Sequence, residues 1–135
     1  MEGESICLLI DQSMIRFAIP VLHVSDSDSA ERFYCDRLGF SKNFDYRPFG
    51  TRGPRYMGLV KDGARLHLSS FSGDGIAGNA VVIVVTNVDA LYEEYRNKGV
   101  KIDLPPTDQS WGNREMYIHD ADQNSLRFTQ WEADE

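Results

Sequence analysis

The side chains that could do chemistry in this chain sit in two short stretches, RLHLSS at 65–70 and REMYIHDAD at 114–122. Glu115, His119 and Asp120 are the groups there able to hold a cation or move a proton. Alternate residues of a strand share a face, so Glu115, Tyr117 and His119 point one way and Met116 and Ile118 the other. A divalent ion with an open position needs three or more oxygen or imidazole ligands, and this trio is the smallest set that would serve. Asp120 and Asp122 also suit a second role, shaping a turn. His67, Ser69 and Ser70 are close in sequence, but neighbours on a strand point opposite ways, which leaves no activated nucleophile. The GDGIAG run at 73–78 has the glycines of a phosphate loop without a helix that begins in time after it. Cys7 and Cys35 lack both ligand and disulfide spacing and read as ordinary thiols, Cys35 on a half-buried helix face.

These groups are positioned by a plan that occurs twice. Phe17–Phe40 runs strand, polar turn, amphipathic helix, glycine, and Ala80–Val100 repeats it; DGARLHLSSF at 62–71 recurs as DQNSLRFTQW at 122–131. In the first copy, 14–24 is a strand apolar on both faces, with Pro20 where no ladder bond is needed. Ser27 or Asp28 caps a helix that runs to about Leu38, with Ala30, Phe33, Tyr34 and Leu38 on one face, and Gly39 ends it. A strand at 40–46, a loop at 47–54 and a hairpin about Asp62-Gly63 follow. Residues 71–79 form a glycine-rich linker. In the second copy, the strand 80–86 leads to a helix over 88–98 that presents Val88, Leu91, Tyr92 and Tyr95. Then come a strand at 100–104 broken by Pro105-Pro106, a polar loop at 107–113 carrying Trp111, and a hairpin about 121–124. Residues 1–13 are an N-terminal extension in which ICLLI forms a short strand or turn. Residues 14–135 form a single domain, module one about 14–72 and module two about 79–131, and the last residues fray. The fold class is α+β, two tandem βαβββ modules whose curved mixed sheets surround a concave cleft.

At 135 residues there is enough chain for one core shared by both modules. The formal charge of −7, from 21 acidic and 14 basic residues, disfavours nucleic acid and anionic membranes as partners. No run of apolar residues is long enough to span a bilayer, and the acidic start lacks the basic leader of a secretory signal, so a cytoplasmic location is expected.

PVLHVSDSDSAERFYCDRLGF, RLHLSSF, VTNVDALYEEY and REMYIHDADQNSLRF together resemble the vicinal oxygen chelate superfamily, which includes glyoxalase I, extradiol dioxygenases and the bleomycin resistance proteins. The similarity spans 16–130 and is nearest to the bleomycin resistance branch, although the usual D-P-x-G-N turn stands here as Asp120-Ala121-Asp122-Gln123-Asn124. In metal-dependent members the ligands come from four cleft-facing strand positions, which the match puts on Ile19, His67, Ala80 and Arg127. The internal repeat agrees, aligning Ile19 with Ala80 and His67 with Arg127. Two of these are aliphatic and one is a permanent cation, so the resemblance implies no metal, no cofactor and no catalytic residue.

What remains is a binding cleft. Tyr46, Phe49, Tyr56 and Trp111 line it or its rim, since loops 47–54 and 107–113 occupy matching places in the two modules; His67, Ile19, Glu115 and Arg127 complete the candidate set. Flat rings suit a planar heteroaromatic ligand, and Glu115 and Asp108 at the mouth suit a cationic one. Arg127 opposes that preference unless Glu115 pairs with it. The resemblance implies a homodimer with two clefts between subunits, each holding one drug. The expected function is non-catalytic sequestration of a bleomycin-like or other aromatic antibiotic. Two other readings are a metal-dependent lyase, isomerase or dioxygenase using a non-standard site, and a regulatory module for an endogenous small molecule.

Overall fold

The computed structural model describes residues 14–132. Module one contains β1 (Val21–His23), α1 (Ser27–Glu31) running on into a π-helical stretch (Arg32–Arg37), β2 (Ser41–Tyr46), β3 (Tyr56–Lys61) and β4 (Ala64–Ser69). Module two contains β5 (Ala80–Val84), α2 (Val88–Asn97), β6 (Leu104–Asp108), β7 (Arg114–His119) and β8 (Ser125–Gln130). Each forms a four-stranded mixed sheet of the same plan, β1-β4-β3-β2 in sheet A and β5-β8-β7-β6 in sheet B, with the first strand parallel to the last. The duplicated βαβββ architecture expected from the repeat is therefore present.

Local departures from the expected elements have identifiable causes. Asp26, not Ser27 or Asp28, caps α1, because its carboxylate accepts from Ser29 N–H at 3.1 Å. Beyond Glu31 the helix widens, and Leu38 N–H reaches back to Phe33 C=O at 3.0 Å. The first strand is three residues long, not the whole of 14–24. Pro105 and Pro106 lie inside β6 instead of ending a strand before it. An edge strand has an outward row of N–H groups that needs no partner, so proline is tolerated there, and the register shifts between Leu104 and Thr107. The reading of 1–13 falls outside the described residues.

Hydrophobic alternation sets which face of each sheet is covered. Leu66, Leu68, Met57 and Leu59 of sheet A, and Met116, Ile118, Leu126 and Phe128 of sheet B, turn toward the helices and are buried with Tyr34, Leu38, Val88 and Tyr95 in one core cluster. Helix ends and a turn link the modules. Tyr95 Oη donates to Leu38 C=O at 3.0 Å, Arg37 Nη1 to Gly99 C=O at 3.0 Å, and Tyr34 Oη to Asp120 at 2.8 Å. Gly39 and Gly99 end the two helices at φ of 85° and 74°, a region that costs glycine nothing.

Among the described residues four strands are sheet edges. β1 is short and preceded by Pro20; β2 carries Lys42, Asp45 and a bulge; β6 carries two prolines. β5 is Ala-Val-Val-Ile-Val, with Val82 and Val84 exposed. Along it runs a groove of about 830 Å³ whose walls include Ala18, Pro20, Ala64, Ala90 and Leu91. Among the described residues no helix is long and apolar enough to cross a membrane.

Candidate functional site

With the helices covering one face of each sheet, the other faces carry the polar and aromatic groups. On sheet A two cross-strand rows result, Val21–His67–Gly58–Phe44 and His23–Ser69–Tyr56–Tyr46. Tyr56 Oη and His67 Nδ1 are 2.8 Å apart. The Phe44 ring stacks on Tyr56 with centroids 6.0 Å apart and meets His67 edge-on at 5.2 Å. Burial pushes the His67 imidazole below its ordinary value and the Tyr56 phenol above its own, the latter with Asp74 adding to it, so both groups are held neutral. Tyr46 stacks on Phe71 at 6.3 Å.

Gly58 makes this shelf possible. A Cβ there would run into the Phe44 ring and the Asn43 amide. Its absence lets Phe44 lie across β3 toward His67. Gly58→Ala is expected to swing the half-exposed Phe44 away while changing unfolding stability by less than about 1 kcal/mol. NMR cross-relaxation between the Phe44 and His67 rings should vanish in the variant; its persistence would show that the glycine does not set the shelf.

Sheet B presents the rows Val82–Arg127–Tyr117–Leu104 and Val84–Thr129–Glu115–Thr107. Glu115 is only 7% exposed, yet its three hydrogen-bond partners are neutral. Tyr117 Oη donates to it at 2.7 Å, Trp111 Nε1 at 3.2 Å and Thr129 Oγ1 at 3.4 Å. The bond to Glu115, then burial, lifts the Tyr117 phenol above its usual value. Arg127 and Glu115, whose pairing the sequence left open, do not meet. The arginine is exposed, its guanidinium lies 5.3 Å from the Tyr117 ring centroid, and at the surface it needs no counter-charge.

The candidate residues thus separate into two groups. Tyr56 and His67 meet on sheet A; the half-buried Ile19 lies outside β1 and precedes Pro20, whose C=O accepts from His67 N–H at 3.0 Å. Trp111 and Glu115 meet on sheet B, with Arg127 over the next ring. Phe49, 72% exposed, and Tyr46 mark the rim of sheet A. Asp108 is engaged by Arg114 at 3.1 Å and is not a free charge at the mouth. The trio Glu115, His119 and Asp120 is dispersed: His119 Nδ1 faces Asp103 at 2.9 Å, and Asp120 turns into the core toward Tyr34. Among the described residues no group of three or more His, Cys, Asp or Glu could hold a metal ion. At the four strand positions that the resemblance identifies with metal ligands, Ile19 and Ala80 have no donor atom and Arg127 would repel a cation, so these residues do not fit a divalent metal.

Phe44, Gly58 and Thr129 escaped the sequence reading, and Tyr117 was put on the face of Glu115 without being given a part in the site. Thr129 was legible, since it shares parity with Arg127. Phe44 was not: the bulge at Asn43 moves it from the face of Lys42 to the open face.

The family model described as "Glyoxalase superfamily protein" matches residues 7–135. A bleomycin resistance protein of Geobacillus stearothermophilus is 30% identical over 135 residues, covering 84% of this chain and 95% of the relative. Among solved structures, a bleomycin resistance determinant encoded on the transposon Tn5 aligns with a TM-score of 0.71 at 25% identity, over 88% of this chain and all of its own. A bleomycin-binding protein complexed with bleomycin aligns with a TM-score of 0.69 at 25% identity, over 86% and 98%.

Proposed function

The chain belongs to the glyoxalase superfamily, and from that membership we propose that it binds an aromatic natural product of the bleomycin kind without transforming it. One observation carries the reading: large aromatic side chains are laid out on the open face of sheet A and on the loops beside the two sheets instead of in the core. Phe44, Tyr46, Phe49 and Trp111 are all more than 40% exposed. A soluble chain gains nothing from such an arrangement unless something covers it. The names of the relatives, resistance to and binding of bleomycin, point the same way.

Each open face is a shelf with one wall, and a planar ligand held from both sides needs two. A homodimer that sets sheet A of one copy over sheet B of the other would supply them twice. The Glu115 carboxylate beside Trp111 would receive a cationic group of the ligand, and the rings would take its flat heteroaromatic part. The donor set at Ile19, His67, Ala80 and Arg127 supports binding without catalysis, because it does not suit a divalent ion that would act as a Lewis acid on a substrate oxygen.

Isothermal titration of the chelator-treated protein with bleomycin, metal-free and then copper-loaded, tests this. Saturable binding near one drug per chain is expected, and Trp111→Ala should weaken it at least about tenfold. Absence of both heat and a shift in melting temperature would rule out bleomycin as the ligand.

A further inference from the structure

His67 occupies the centre of the sheet A shelf, and its two ring nitrogens have different surroundings. Nδ1 is 2.8 Å from Tyr56 Oη. Nε2 has no partner among the described residues. No buried side-chain nitrogen or oxygen there lacks a partner, so Nε2 must reach the open face. A neutral imidazole has one donor nitrogen and one acceptor nitrogen. In a phenol–imidazole pair the phenol is the better donor and the imidazole nitrogen the better acceptor, so Tyr56 donates and Nδ1 accepts. The ring proton is then left on Nε2. Burial, which disfavours the imidazolium, keeps a second proton off.

We propose that Tyr56 is a positioning residue that locks His67 in the Nε2–H form, so that the shelf offers a hydrogen-bond donor and selects flat ligands carrying an acceptor, a ring nitrogen or a carbonyl, in the plane of their rings. This deepens the aromatic-binding reading and rests on it. The nitrogen facing the cleft carries a proton, and the nitrogen with a free lone pair is taken by the phenol. Phe44 closes one side of the ring, so the donor is presented beside an apolar surface where water competes poorly for it.

Two measurements on the full chain test the assignment. Long-range proton–nitrogen NMR of the imidazoles at neutral pH should show His67 wholly as the Nε2–H form, and as a mixture in Tyr56→Phe, which keeps the ring and its stacking. Titration with benzothiazole and with benzothiophene, bicycles that differ by one ring nitrogen, should show the nitrogen compound binding roughly five- to tenfold more tightly. His67→Phe should abolish that difference. An Nδ1–H form in the wild type, an unaltered form in Tyr56→Phe, or equal binding of the two bicycles would overturn the donor role while leaving the aromatic surface intact. If neither bicycle perturbs any resonance of sheet A, the aromatic-binding reading fails, and the donor's part in selection with it.

Discussion

Asp120→Ala is expected to lower unfolding stability by about 4 kcal/mol, with a melting temperature roughly 15 °C lower. The Asp120 carboxyl accepts four hydrogen bonds: Tyr34 Oη at 2.8 Å, Asn124 Nδ2 at 3.0 Å, and the N–H groups of Asp122 and Asn124 at 2.9 Å each. Tyr34 and Asn124 are fully buried, so alanine strands donors that water cannot reach. Asn124 meanwhile reaches His23 C=O at 2.9 Å and accepts from Gly78 and Asn79 N–H, so one turn ties β1, the π-helical stretch, the linker and sheet B together. Tyr34→Phe, which removes a donor without stranding an acceptor that lacks other partners, should cost only about 1 kcal/mol. In the double variant the loss should fall short of the sum. Strict additivity in urea unfolding would mean that Tyr34 and Asp120 are not coupled.

Arg55→Ala should cost about 3 kcal/mol. The guanidinium is 1% exposed and bridges the segment leading into β3 to α1 and β2, bonding Asp45 twice at 2.8 Å, Asp28 at 3.1 Å, and Glu31. Burial works against its charge, but the bonds to Asp45 and Glu31 outweigh it and raise its proton affinity. The same bonds hold Asp45 far below the usual carboxylate range, and Arg55 with Lys42 holds Glu31 lower despite its burial. A carboxylate whose folded value is depressed contributes stability in full above its unfolded value, near 4, and loses it as pH falls through the folded one. Wild-type stability should therefore drop below about pH 4. In the variant the carboxylates have lost their main partner, so the gap between the two proteins should narrow from pH 7 to pH 3. A gap independent of pH would mean that the arginine acts through its packing alone.

The duplicated fold was legible because period-two alternation and turn chemistry act locally. Leu66 and Leu68 flank His67, Met116 and Ile118 flank Tyr117, and Asp62-Gly63 makes a two-residue turn, with Asp62 at φ 51°. Face assignments on β4, β7 and β8 held for that reason. What the sequence hid depends on events that break the count. One extra residue in β2 puts Phe44 on the open face, and an edge location admits Pro105-Pro106 to a strand. The partner of Glu115 was hidden for another reason. Arg127 is diagonal to it across the ladder, yet the exposed guanidinium takes the ring of Tyr117, its directly opposite neighbour, and Glu115 is left to hydroxyls and an indole. Charge sign alone could not have chosen between these outcomes.

The four sheet edges bear on how the protein behaves when concentrated. A bare row of N–H and C=O groups templates further strands, and proline, charge, bulging or brevity each interrupt that templating. β1, β2 and β6 each carry at least one such interruption. β5 carries none, and its β-branched, uncharged sequence is of the kind that seeds cross-β aggregation when left open. Among the described residues, β5 is therefore the edge with the least built-in protection against pairing with another chain, and the groove beside it is where cover for that edge would have to sit.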